Sequence, residues 1–151
     1  LNRKERKDVQ EAKDAEKKYK AEMLKIAKDE LNLKKKEVDA TINASDVTSK
    51  DFNAMRSILG DLIGEGTNFV TTASGTLTFV GKGINKEYDT LIKDAVYDAQ
   101  IGLANSKDLT DFVRNRLPAI QAKITNIQTN FPDAAAGKKD EKKKDIEDED
   151  I

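Results

Sequence analysis

Hydrophobic residues recur at helical spacing over most of the chain. In residues 1–42, Val9, Ala12, Tyr19, Met23, Ile26 and Leu33 follow a three-four alternation, although Glu16 and Glu30 fall where that seam calls for apolar side chains. A second stripe, Leu24, Ala27, Leu31, Val38 and Ile42, begins on a neighbouring face, so the buried side drifts along the helix. This stretch has no glycine or proline and is rich in Lys, Glu, Ala and Leu. Summed propensity therefore predicts one long helix, solvated at first and docking through its second half. Many acid-base pairs at helical spacing add a few tenths of a kcal/mol each.

The polar run at 43–49 predicts a break, with Thr48 paired to Asp51, or Ser49 itself, capping the next helix. From Phe52 the apolar positions are Met55, Ile58, Leu59, Leu62 and Ile63, and the period stops at Gly64 and Gly66. A third helix capped by Asn85 carries Tyr88, Leu91, Ile92, Ala95, Val96, Ala99 and Leu103. A fourth runs from Leu109 to Phe131. Its apolar phase continues across Pro118, which predicts a kink or a fresh helix start with one buried face preserved.

Residues 67–80 break the helical period. They are dense in Thr, Val and Phe around Ser74 and Gly75, which predicts a small β-hairpin, with a helix as the rival for so short an apolar run. Alternation places Leu77 and Phe79 on one face and Thr76, Thr78 and Val80 on the other. An isolated hairpin is marginal in water, so it needs packing or a partner. The fold expected is mainly α: a long N-terminal helical arm (1–43), a small helical bundle (44–132) with a hairpin insertion at 67–80, and a disordered charged tail (133–151).

Composition sharpens this picture around the hairpin. Residues 58–84 hold six of the eight glycines and only three charged residues, Asp61, Glu65 and Lys82. Such a change marks a different environment: a core, a partner or lipid. Elsewhere, 28 acidic and 27 basic residues nearly cancel, so no global field selects an anionic partner. The chain has no cysteine and no histidine, which removes thiolate sites and the usual near-neutral general base. No run of about twenty apolar residues offers a spanning helix, and no leader-peptide pattern opens the chain.

Candidate chemistry is thin. So many carboxylates guarantee chance pairs, and the only acids in apolar surroundings, Asp61 and Glu65, lie one turn apart near a helix C-terminus and are expected to face solvent. The turn Gly81-Lys82-Gly83 precedes a helix and could meet an anion there, but its spacing matches no phosphate-binding fingerprint, so an ordinary turn is expected. Basic clusters at 3–7 and 34–36 are interleaved with acids and accompanied only by Tyr19, so a nucleic-acid track is not expected. Tyr88, Tyr97, Phe112 and Phe131 read as packing residues.

No cofactor, metal or small-molecule substrate is indicated, and no enzymatic activity is expected. The chain reads as a structural or assembly protein joining itself or other subunits through helix and hairpin contacts, as components of virus or phage particles do. The expected contact residues are Phe69, Val70, Leu77, Phe79 and Val80, on a strand edge open to pairing. The alternative is a membrane-active protein using the charge-free segment 66–81, which is too short to span as one helix. No compartment is indicated beyond a soluble state, in cytoplasm or within a large particle.

Overall fold

A computed structural model describes residues 2–45, 47–64 and 69–138. The fold is mainly α, as the periodicities predict. Helix α1 (Arg3–Asn43) is 41 residues long, or about 60 Å at the α-helical rise. Asn2 and Glu5 cap it reciprocally: the Glu5 amide donates to Asn2 Oδ1 at 2.8 Å and the Asn2 amide to Glu5 Oε2 at 3.2 Å. Helix α2 (Ser49–Ile63) starts on a second such box, Thr48 with Asp51, and stops at Gly64, whose φ of 82° suits a residue lacking Cβ.

Strands β1 (Phe69–Thr71) and β2 (Leu77–Phe79) pair antiparallel, with Phe69 opposite Phe79 and Thr71 opposite Leu77. The turn is closed by the Thr72 amide on the Thr76 carbonyl and the Gly75 amide on the Thr72 carbonyl, each at 2.9 Å. Gly75 takes the left-handed conformation (φ 89°) that a three-residue hairpin loop requires at its last position. The hairpin is thus present. Its first two expected residues, Thr67 and Asn68, lie outside the described part of the chain.

Helix α3 (Lys86–Ala104) is the hub. The main core lies between it, α2, the hairpin and the following helices, and includes Met55, Leu59, Ile92, Val96, Phe112 and Ile124. Phe69 and Phe79 meet edge to face, 6.0 Å between ring centres, inside this core. A second, smaller cluster of Val38, Ile42 and Tyr97 docks the latter half of α1 onto α3.

Pro118 begins a fresh helix rather than a kink. Helix α4 (Leu109–Asn115) ends at Arg116, and α5 (Leu117–Asn130) carries Pro118 in its first turn, where a missing N–H costs no intrahelical bond. The buried face continues across the break through Phe112, Ile124 and Ile127. Structure also runs past the expected start of the tail at 133. Helix α6 (Pro132–Ala135) packs Ala134 and Ala135 against the core, because Pro132 starts a new turn and small apolar residues follow it. The rest of the expected tail, 139–151, lies outside the described residues.

Candidate functional site

The hairpin packs one face into the core of its own chain and is tied to α1, α2 and α3 by side-chain hydrogen bonds. Of the five residues expected to make an external contact, Phe69, Leu77 and Phe79 are buried in the chain's own core, and Val70 (53 % exposed) and Val80 (47 %) remain at the surface. The edges are partly occupied. On β2 the buried carboxamide of Gln100 accepts from the Leu77 amide and donates to the Leu77 carbonyl, both at 2.7 Å. On β1 the Arg56 guanidinium donates to the Phe69 carbonyl at 3.0 Å and to Thr71 Oγ1 at 3.3 Å. The expected edge is thus covered in part: side chains from α3 and α2 take the Leu77 amide and carbonyl and the Phe69 carbonyl, bonds that an incoming strand would need there.

At the tip, Ser74 Oγ donates to Asp39 Oδ1 of α1 at 2.8 Å, and Thr76 Oγ1 donates to the same oxygen. Thr76 is fully buried, not on the outward face with Val80 as strict alternation suggests. It belongs to the turn, where Asp39 draws its hydroxyl towards α1. Thr78, on the outward face, keeps its hydroxyl 3.3 Å from that of Tyr97.

One other candidate resolves into a structural contact. The turn at Gly81 and Gly83 meets an anion that the chain supplies itself: the Gly83 amide donates to Asp89 Oδ2 at 3.2 Å, and the carboxyl group lies against Gly81. Asp61 is exposed on α2, while Glu65 lies outside the described residues. Among the described residues no group of three or more acidic side chains is arranged to hold a metal ion. A hollow beside Phe79, Lys82, Tyr88 and Asp89 holds about 10 Å³, room for a single water.

One charged cluster was not expected. Asp94 and Asp98, one turn apart on α3, each bridge Lys34 of α1 and Lys123 of α5, with four N–O distances of 2.5–2.7 Å. Burial opposes the charge on Lys34 and Lys123, but their hydrogen bonds and attraction to the two aspartates outweigh it and raise both above ordinary lysine values. Burial likewise opposes ionisation of Asp94, and the two lysines overcome it, so its carboxyl titrates below its usual range. Every charge here has its counter-charge. The cluster clamps three helices together and offers no unbalanced group for chemistry.

The surface that stays unsatisfied lies on α1. All of residues 2–23 are exposed, so more than half of the helix projects beyond the body. Of its two apolar stripes, the second docks: Leu24, Ala27 and Leu31 are half-buried, and Val38 and Ile42 are buried. The first faces away, with Val9, Tyr19, Met23, Ile26 and Leu33 all exposed, Tyr19 at 63 % and Leu33 at 67 %. The sequence leads one to expect contacts through both helix and hairpin but singles out residues only on the hairpin, because both segments look apolar and only packing decides which is used internally. No helix among the described residues is long and apolar enough to cross a membrane. Comparison with family models, with curated proteins and with solved structures finds no match for this chain.

Proposed function

We propose that this chain is a non-enzymatic structural or assembly protein that engages other subunits through its projecting N-terminal helix. One observation carries the reading. Residues 2–23 are all exposed, yet their surface carries a largely apolar seam at three-four spacing running on to Leu33. A helix that is polar all round needs no partner; one with an exposed apolar stripe, here interrupted only at Glu16 and Glu30, gains by covering it. The hairpin takes a supporting role, fixing the body from which the arm projects. Arms leaving a small folded body and packing against neighbours are common in virus particles and other large assemblies, and the analogy is one of class alone. The internal use of Phe69, Leu77 and Phe79 further favours this reading over lipid insertion by the hairpin.

Photo-crosslinking in the cells that make the protein tests the reading. A photoreactive residue replacing Tyr19 is expected to give a discrete higher-mass adduct, while one replacing Lys18, off the seam, gives none. An adduct formed only from Val70 would return the contact to the hairpin, and no discrete adduct from any seam position would overturn the assembly role.

A further inference from the structure

We infer that the partner seated on this seam is a second copy of the chain, paired parallel and in register as a two-stranded coiled coil over residues 9–33. The inference rests on the assembly reading above and names the partner. The seam alternates Val9, Glu16, Met23 and Glu30 with Ala12, Tyr19, Ile26 and Leu33. That is about three and a half heptads, a length at which coiled coils become recognisable. A repeat of seven, interrupted at Glu16 and Glu30, matches the 3.5-residue period of a supercoiled pair better than the 3.6 of a helix lying on a globular surface.

The flanks choose the partner and its direction. Positions immediately before the first set of seam residues are Asp8, Ala15, Glu22 and Asp29; those immediately after the second set are Lys13, Lys20, Ala27 and Lys34. One flank is acidic and the other basic wherever it is charged. In a parallel pair the acidic flank of each helix faces the basic flank of its neighbour, five residues further on, so Asp8 meets Lys13 of the second copy. In an antiparallel pair like flanks meet, bringing Lys13 near Lys20 and Asp8 near Asp29, which is repulsive. The charged flanks therefore favour an identical helix in parallel, chiefly through Asp8 and Lys13 of the second copy, since Lys34 is held by Asp94 and Asp98 and Ala27 is half-buried. The body leaves room for it: the stripe by which α1 docks onto α3 is rotated by roughly 100° from the seam, since successive residues turn by about that angle.

Glu16 then has a role. Within its own helix it is paired to Lys20 at 3.1 Å, with both side chains exposed. A parallel pair sets Glu16 against its own counterpart in the seam, as it does Glu30. Each of these two pairs sets like charges together, a cost that the flanking attractions and the apolar seam residues must outweigh, so association is weak and reversible.

The absence of cysteine makes the test direct. Ala12 is a seam residue facing its own equivalent in a parallel pair, within the roughly 4–7 Å between Cα atoms that a disulfide spans. Full-length Ala12→Cys is expected to form a disulfide-linked dimer on mild oxidation, and Tyr19→Asp added to it to abolish the link. Glu16→Leu is expected to tighten association at least tenfold by sedimentation equilibrium. These side chains touch no other element, so circular dichroism melting of the body should be unchanged. Linking that requires Ala12→Cys together with Met23→Cys would overturn the parallel register. A protein that stays monomeric at every concentration, with or without Glu16→Leu, would overturn the second copy as partner. A Tyr19 adduct to a different protein in the cellular cross-link would then leave the assembly reading standing.

Discussion

Gln100 stands in for a neighbouring strand. It is fully buried on α3, and its carboxamide meets both the N–H and the C=O of Leu77, as the backbone of a third strand would, while also donating to the Val96 carbonyl at 3.2 Å. Gln100→Leu keeps the volume and removes both partners. Two buried backbone groups are then left unpaired at about 1–3 kcal/mol each, so a loss of roughly 2–6 kcal/mol is expected from urea unfolding. A loss under about 0.5 kcal/mol would show that the hairpin edge is satisfied in some other way. Part of this was visible beforehand. Gln100 follows Val96 by four residues and precedes Leu103 by three, which places a polar side chain inside the apolar stripe of α3. A glutamine there calls for a buried partner, but nothing local names Leu77, more than twenty residues upstream. The same limit applies to Asp39, whose bonds to Ser74 and Thr76 cross between elements.

At the scale of elements, the helices and the hairpin follow from local patterns because caps, periods and turn residues act over a few positions. The Thr48 and Asp51 box, the stop at Gly64, the Asn85 cap and the restart at Pro118 are all of this kind. Which stripe of α1 docks is not local. Both stripes are apolar, and the choice depends on Tyr97, Ile101 and the Asp94–Asp98 clamp on α3. That clamp was hidden among 28 acidic residues, since four charges from three separate helices share no spacing. Its pH dependence has a definite sign. Asp94 titrates below its ordinary value of 3.8 in the folded chain, so its contribution is present above that value and is lost as pH falls through and below it. Lys34 and Lys123 are raised above 10.5, so their share is retained below that and lost at higher pH. Asp94→Asn is therefore expected to lower the thermal midpoint near neutral pH, with the gap from the parent protein closing below about pH 4. A gap that persists unchanged at low pH would mean that the aspartate acts through packing and not through its charge.

The whole molecule is a compact helical body with a helix that leaves it. The body uses most of its large apolar residues internally, including Phe69, Leu77 and Phe79 of the segment that looks most like a contact surface in the sequence. The arm cannot. Without tertiary contacts a helical segment opens readily, because most helical stability in proteins comes from packing of an apolar face and not from propensity. Its persistence as a helix thus depends on the seam being covered. Amide hydrogen exchange of the intact protein, followed over a range of concentrations, measures that cover directly. The expected result is protection of residues 9–23 that rises with concentration, beside concentration-independent protection of α3. Exchange of residues 9–23 at the rate of an unstructured chain at every concentration, with α3 still protected, would contradict an assembly built on the arm.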